Sequence, residues 1–168
     1  MLVRSSNTDG QIYLSPDLFQ KGILPAVDAG KSVSRVGGKT QLPAYRAVAG
    51  TLRLTYSQFE ELEAFSRFNT RLDDATQQAI VRGQRVREVL KQSQYAPIPA
   101  PEQIAVLFAT TQGCFDRVPL ADIPRVCQSV RAATVEQLGD LCDRILAGKE
   151  LTASDRQALL DVARSVLG

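Results

Sequence analysis

The sequence predicts a mainly α-helical fold, in which an antiparallel helical bundle follows a short α/β segment. Apolar residues after Pro43 recur at three-, four- and seven-residue steps, which is the period of helices that bury one face. Several of these stretches begin at a capping residue or a proline and end near a glycine. The runs that resemble strands lie before residue 42, so we expect two regions, 1–42 and 43–168.

The first region, 1–42, alternates short strands with turns. Strands are predicted at Ile12-Tyr13-Leu14, after the Asp9-Gly10 turn, and at Val33 to Val36. A helical turn is predicted at Ser15-Pro16-Asp17, because proline fits the first helical position. Two strands and some turns cannot bury a core alone, so this region is typical of the edge of a larger sheet.

The second region opens with a long helix at Pro43, whose apolar face carries Val48, Leu52, Phe59, Leu62 and Phe65. Short connections between the later helices indicate an antiparallel bundle. The remaining predicted helices are Asp73 to about Gln92 (with Ile80, Val86, Val89 and Leu90 inward), Pro101 to Ala109, about Ile123 to Ala133, Thr134 to Ala147 and Thr152 to about Val166 (with Leu159, Leu160, Val162 and Ala163 inward).

Two of these helices begin at candidate capping boxes. Thr134 is followed three residues later by Gln137, and Thr152 by Asp155. In such a box the threonine hydroxyl accepts from the backbone three residues on, and the second side chain returns a bond to the threonine amide. The spacing predicts that both threonines begin helices.

Composition excludes several classes of function. Twenty basic and eighteen acidic residues give a net charge of +2, too balanced to favour nucleic acid as a partner. The chain contains no histidine, so the commonest general base and metal ligand is absent, and we expect no metal site. No apolar run reaches eighteen residues, and the N-terminus lacks a signal segment. Cys114, Cys127 and Cys142 are predicted to be free, buried thiols of a reducing cytoplasm.

Two segments imitate the phosphate-binding loop G-x-x-x-x-G-K-[ST]. Gly30-Lys31-Ser32 would require a glycine where Pro25 stands, and Gly38-Lys39-Thr40 would require one where Val33 stands. That first glycine makes the turn which points backbone amides at phosphate. We therefore expect no nucleotide hydrolysis by the isolated chain.

Arg35 is the candidate functional residue with the most informative surroundings. It lies in the stretch GKSVSRVGGKTQ, where a β-prone run ends and Gly37-Gly38 opens a turn or helix. A guanidinium at the junction of a strand and a turn suits recognition of phosphate oxygens, since its planar, forked group of donors matches their geometry. The alternative is that Arg35 is an ordinary solvated surface charge.

A series of local motifs resembles the α subunit of rotary, F-type ATP synthases from about residue 6 to about residue 108. Their order and separations are similar to those of that family. The motifs are Thr8-Asp9-Gly10-Gln11-Ile12, Asp17-Leu18-Phe19, Gly22-Ile23, Pro25-Ala26-Val27, Ser32-Val33-Ser34-Arg35-Val36-Gly37-Gly38, Val48-Ala49-Gly50-Thr51-Leu52-Arg53-Leu54, Leu72-Asp73, Ala75-Thr76, Arg82-Gly83-Gln84, Leu90-Lys91-Gln92 and Gln94-Tyr95.

The resemblance implies that residues 1–42 are the C-terminal edge of a nucleotide-binding domain and 43–168 a C-terminal helical bundle domain. It implies that Arg35 is an arginine finger, which enters the catalytic site of a neighbouring β subunit in trans. Ser6 matches a serine beside the same interface; the alternative is a turn serine in a frayed terminus. The implied partners are the β subunits and the central-stalk γ subunit, with ion transport coupled to ATP synthesis.

The resemblance also implies an adenine pocket in a non-catalytic nucleotide site. Phe19, Pro25, Gln92 and Gln94 match its lining, whereas Leu24 stands where the family commonly has arginine. ATP or ADP with magnesium is implied for the parent assembly, whose phosphate-binding loop is expected upstream of residue 1. For the isolated chain no cofactor is expected, and packing or capping roles are favoured for these four residues.

Two classes of function remain open from the sequence. The first is part of an ATP synthase α subunit, peripheral to the cytoplasmic face of the membrane through a bacterial-type complex. The second is an independent helical protein-interaction module unrelated to ATP. An independent module has no reason to keep the TDGQI and SVSRVGG motifs in register, which favours the first. Lys39-Thr40 indicates a divergent branch, and some such branches move sodium rather than protons; the sequence leaves the ion undecided.

Overall fold

A computed structural model describes residues 10–66 and 72–168. The predicted mainly α-helical class is confirmed, since eight α-helices and one two-stranded ribbon make up the regular structure of this part of the chain. The chain divides into two compact units, Met1–Gln41 and Leu42–Gly168. The elements in order are β1 Gly10–Gln11, α1 Pro16–Gln20, β2 Val33–Ser34, α2 Gly37–Thr40, α3 Pro43–Ser66, α4 Asp74–Val89, α5 Ala100–Thr111, a 3-10 turn Leu120–Asp122, α6 Ile123–Gln137, α7 Gly139–Leu146 and α8 Ala153–Leu167.

The first unit is built on the β1–β2 ribbon. The strands are antiparallel, with Gly10 opposite Ser34 and Gln11 opposite Val33. The strand predicted at Ile12 to Leu14 is therefore wrong for Ile12 and Tyr13, whereas Leu14 makes an isolated antiparallel bridge to Val27. The pairing occurs at Gly10 instead, because a residue without Cβ lets the two backbones approach closely.

The helical turn predicted at Ser15 is confirmed as the start of α1. The hydroxyl of Ser15 accepts a hydrogen bond from Leu18 N at 3.3 Å, and Pro16 occupies the first turn. The unit nevertheless leaves much apolar surface open to solvent. Its exposed large apolar side chains are Ile12, Tyr13, Leu14, Phe19, Leu24, Val33 and Val36.

The second unit has its core around α5, which packs against α3, α4, α6, α7 and α8. Ile104 and Ala105 of α5 lie in one buried cluster with Val48 of α3. Val106 and Ala109 lie in a second cluster, contributed largely by α6. Small and β-branched residues along α5 thus face neighbours on opposite sides. The helix ends at Thr111 rather than at Ala109.

A third cluster joins α3 to α4. Phe59, predicted to face inward, is fully buried with Val86, and Tyr56 lies beside them. The Arg87 guanidinium sits 4.4 Å from the Phe59 ring centroid and binds the Glu63 carboxylate through two bonds of 2.8 and 2.7 Å. An aromatic face and a carboxylate together stabilise this half-buried cation.

The prediction that a helix begins at Thr134 is wrong. Thr134 lies inside α6, fully buried, and its hydroxyl donates to Val130 O at 2.7 Å instead of capping a new helix. Packing of the Thr134 side chain favours continuation of the helix. The break comes at Leu138, whose φ of −125° and ψ of 39° leave the helical region, and α7 follows at Gly139.

Two predicted N-caps are confirmed. The Asp73 carboxylate accepts from Thr76 N at 2.7 Å at the start of α4, although that helix ends at Val89 rather than near Gln92. Thr152 and Asp155 form both bonds of a capping box at the start of α8. Asp155 also binds the Arg144 guanidinium, which links α7 to the start of α8.

The three thiols are free, as predicted. Cys127 is buried in α6, whereas Cys114 and Cys142 are half-buried. Burial raises the pKa of all three thiols above the ordinary value, to about 11 for Cys127. A high pKa keeps a thiol protonated and poorly nucleophilic at neutral pH.

Candidate functional site

Arg35 lies between the end of β2 and the start of α2, and its side chain is exposed. Within the part of the chain that the structure describes, its guanidinium makes no hydrogen bond or ion pair. By contrast, Arg82, Arg87 and Arg144 are each bound to a carboxylate. Among the described residues, Arg35 thus presents a solvated guanidinium that no protein acceptor occupies.

The backbone that follows Arg35 is held by Ser34. The Ser34 hydroxyl accepts a hydrogen bond from Gly37 N at 2.8 Å, which closes a turn over Arg35 and Val36. Helix α2 continues from this turn, with Lys39 N donating to Val36 O at 2.9 Å. The turn fixes where the Arg35 side chain leaves the main chain.

The backbone before Arg35 is held by Ser32. Its hydroxyl accepts from Tyr13 N at 3.0 Å and donates to Asp28 O at 2.6 Å. The Asp28 carboxylate in turn accepts from Lys31 N at 3.0 Å, and this bond lowers the pKa of Asp28. Arg35 therefore lies on a segment anchored on both sides.

Phe19 and Pro25 belong to the first unit. Phe19 is 66% exposed at the end of α1, so its aromatic face is open to a ligand or another chain. Pro25 is exposed, follows Leu24 through a cis peptide bond, and accepts from Val27 N at 2.8 Å. Leu24 is also exposed.

Gln92 and Gln94 belong to the second unit, just after α4. The Gln92 amide donates to Ala96 O at 2.8 Å, which ties down the connector to α5. Gln94 is exposed and precedes Tyr95, whose φ of 61° and 93% exposure mark a sharp turn. This bond lies within the connector and caps neither helix.

A small cavity of about 80 Å³ lies beside Gln92. Its lining combines apolar side chains with Lys91, Gln103 and Arg131. The amine of Lys91 is bound to Glu88 at 2.6 Å. The Nε of Arg131 is buried without a hydrogen-bond partner.

Ser6 lies outside the described residues. Among the residues that are described, no group of three or more Cys, Asp or Glu side chains is placed to hold a metal ion. Sequence reasoning missed the structural roles of Ser34 and Gly10 around Arg35. The spacing of Ser34 from Gly37 was the available signal, because a serine hydroxyl commonly binds an amide two or three residues on.

Comparison with known proteins identifies the family. A sequence model described as "ATP synthase alpha/beta chain, C terminal domain" matches residues 41–166, which is most of the chain. The chain belongs to this family. The ATP synthase alpha/beta C-terminal domain thus comprises nearly all of the second unit. Every helix among the described residues is too short or too polar to cross a membrane.

Three similar proteins carry the name ATP synthase subunit alpha. The chain is 62% identical over 162 residues to "ATP synthase subunit alpha 2" of Syntrophus aciditrophicus (strain SB), covering 96% of this chain and 31% of the relative. It is 58% identical over 161 residues to the protein of that name from Syntrophotalea carbinolica, with the same coverage. It is 54% identical over 163 residues to "ATP synthase subunit alpha 1" of Rhodopirellula baltica, covering 97% of this chain and 32% of the relative. The chain spans about a third of the length of these relatives.

Proposed function

We propose that this chain acts within an alpha subunit of a rotary ATP synthase, and that Arg35 is an arginine finger supplied in trans to the nucleotide site of a β subunit. The observation that carries the proposal is the state of Arg35: exposed, on an anchored turn, and without an acceptor among the described residues. The SVSRVGG motif supports it, as does the similarity of 96% of the chain to a protein named ATP synthase subunit alpha 2.

The proposed role follows from the charge of phosphoryl transfer. The transferring group spreads negative charge over its oxygens, and the five N–H donors of a guanidinium stabilise that charge. Arg35 would bind these oxygens more strongly in the transition state than in the ground state, which raises the rate. Arginine fingers typically contribute about 10³–10⁵ in rate.

From the resemblance alone, we further propose that Phe19, Pro25, Gln92 and Gln94 each match an adenine-binding position of the parent subunit's second, non-catalytic site for ATP or ADP. The exposed ring of Phe19 and the exposed Pro25 suit the flat apolar face of a purine, and the Gln94 amide suits its edge. The Gln92 nitrogen already serves Ala96, which leaves its oxygen for a ligand. Leu24 provides no cation there, so we propose weak binding. No described residue is proposed as a magnesium ligand.

The proposed assembly contains β subunits and the γ subunit of the central stalk, lies at the cytoplasmic face of the membrane, and couples ATP turnover to ion transport. Ser6 is proposed to lie at the same interface as Arg35. The choice between protons and sodium belongs to other subunits of such a complex. The rival role is an independent helical interaction module, which requires no nucleotide chemistry from Arg35.

The deciding experiment uses a chimeric alpha subunit that carries residues 1–168 in place of the matching segment of the Syntrophus relative, assembled with its β and γ subunits. Arg35→Lys should lower steady-state ATP turnover by orders of magnitude while assembly stays intact, because lysine keeps the charge but loses the fork. KM for ATP should change much less than kcat.

Arg117→Lys is the matched control, since Arg117 is an exposed arginine of the second unit. It should leave both turnover and assembly unchanged. Turnover within about twofold of the parent in an intact Arg35→Lys complex would end the finger assignment. Poor assembly with normal turnover per complex would make Arg35 a contact residue instead.

A further inference from the structure

We infer that Ser34 is a positioning residue for Arg35, and that Gly10 and Gly37 are glycines because Ser34 must be held in that position. The inference rests on the proposed function of Arg35 and adds a specific dependence. Loss of the Ser34 hydroxyl should lower turnover through Arg35 and not through folding of the chain.

The first step is the hydrogen bond made by the Ser34 side chain. Its hydroxyl accepts from Gly37 N at 2.8 Å, so one bond spans Arg35 and Val36. Arg35 has no anchor of its own among the described residues. The turn therefore sets the backbone position from which the Arg35 side chain departs. A displacement of about 1 Å at a reacting centre can cost about 10² in rate.

The second step is the space around Gly37. A Cβ at position 37 would lie 2.6 Å from Ser34 Oγ and 3.1 Å from Ser34 Cβ. Any larger residue would push the hydroxyl off the amide that it binds. The next residue, Gly38, has no atom within 4 Å of its potential Cβ. A side chain at position 37 would therefore collide with Ser34, whereas a side chain at position 38 would not.

The third step is the other side of the ribbon. Gly10 pairs with Ser34 across β1 and β2. A Cβ at position 10 would lie 2.8 Å from Val33 O and 3.2 Å from Ser34 Cα, which is backbone that cannot turn aside. Because Gly10 has no side chain, the backbone of β1 can pack directly against Ser34, which closes the turn over Arg35. Gly10 of the TDGQI motif and Ser34 of the SVSRVGG motif therefore form one structural unit.

The experiment uses the same chimeric complex and measures kcat and KM for ATP together with complex integrity. Ser34→Ala should lower kcat by about 10- to 100-fold with little change in KM. Ser34→Thr retains a hydroxyl and should restore most of the rate. In an Arg35→Ala background, Ser34→Ala should produce no further loss, because the two residues act as one unit.

The adjacent glycines provide the matched pair. Gly37→Ala should lower kcat as Ser34→Ala does, whereas Gly38→Ala should leave it within about twofold of the parent. Ser129→Ala, which removes an exposed hydroxyl from α6, controls for the loss of a serine anywhere in the chain.

Three outcomes would overturn the inference. Ser34→Ala with turnover within about twofold of the parent would remove the positioning role, even if Arg35→Lys is inactive and the finger assignment stands. An equal further loss from Ser34→Ala in the Arg35→Ala background would show that Ser34 acts independently of Arg35. A normal Arg35→Lys complex together with an impaired Ser34→Ala complex would reject the proposed function as well.

Discussion

Gly83 of α4 lies so close to Phe59 of α3 that a Cβ at position 83 would overlap the Phe59 side chain. Phe59 is fully buried, and the Arg87 guanidinium lies over its ring on the same helix as Gly83. The contact explains why α4 carries a glycine in its interior, where glycine costs about 1 kcal/mol relative to alanine. Close packing of the two helices outweighs that cost.

Gly83→Ala should therefore destabilise the protein, because the ring must move in a filled core. Overpacking of this kind typically costs about 1–3 kcal/mol. Gly50→Ala is the control, since Gly50 is an exposed glycine inside α3 with no atom within 4 Å of its potential Cβ. It should stabilise by about 0.5–1 kcal/mol. Urea unfolding followed by circular dichroism measures both, and effects of the same sign would contradict the packing argument.

The Asp155 carboxylate should contribute stability that acid removes. The Arg144 guanidinium, together with the Thr152 amide and hydroxyl, lowers the pKa of Asp155 from 3.8 to about 2. Because the folded pKa lies below the unfolded value, the contribution is complete above pH 4 and is lost as pH falls towards 2.

Asp155→Asn should accordingly lower the unfolding temperature at pH 6 and flatten its pH dependence between 4 and 2. Asp161→Asn serves as the control, since the Asp161 and Arg164 side chains are both exposed and lie 3.8 Å apart. It should change neither quantity much. A wild-type slope preserved in the Asp155→Asn variant would be evidence against the assigned role.

The three thiols should differ in reactivity. Cys127 is 2% exposed and its pKa is raised to about 11 by burial, so alkylation in the folded protein should be slowest there. Cys114 and Cys142, being half-buried, should react first at pH 8. Mass spectrometry of iodoacetamide-treated protein gives the order, with urea-unfolded protein as the reference in which the differences vanish. Fast labelling of Cys127 under native conditions would contradict its burial in the core.

The helical unit should fold without the first unit. Its three buried clusters are drawn from residues 44–163, whereas Ala26 is the one buried apolar residue described before position 42. A chain that begins at Leu42 should therefore unfold in one cooperative thermal transition. The full chain is the comparison. A broad, non-cooperative transition of the shorter chain would mean that residues before Leu42 are required for the core.

Prediction from sequence succeeded where a local pattern determines a local structure. Asp73 and Thr152 cap their helices, and Ser15 with Pro16 begins α1, because the required partners lie within three residues. Thr134 has the same spacing as Thr152 but lies mid-helix. Its burial, which depends on distant residues, decides whether its hydroxyl bonds forward or back to Val130.

The same distinction between local patterns and contacts of distant residues applies to the candidate site. Arg35 became a candidate because of the motif that surrounds it, and its role stays a prediction. The expected turn or helix start at Gly37 is present as the start of α2. The dependence of Gly10 on Ser34 was not predictable, since Ser34 lies 24 positions after Gly10 and their pairing exists only in the folded ribbon. The exposure of Ile12 likewise reflects strand register, which the local pattern assigned to the wrong residues.

Helix α5, which touches five other helices, determines the order in which the fold can loosen. Since opening one outer helix leaves α5 packed against the others, we expect its amide hydrogens to exchange with solvent only when the whole unit unfolds. The exchange rate at Ile104 and Ala105 thus reports the global free energy of unfolding. Amides on α7, which covers one side of α5, report local opening instead. The C-terminal domain contains its own internal reference for distinguishing the two.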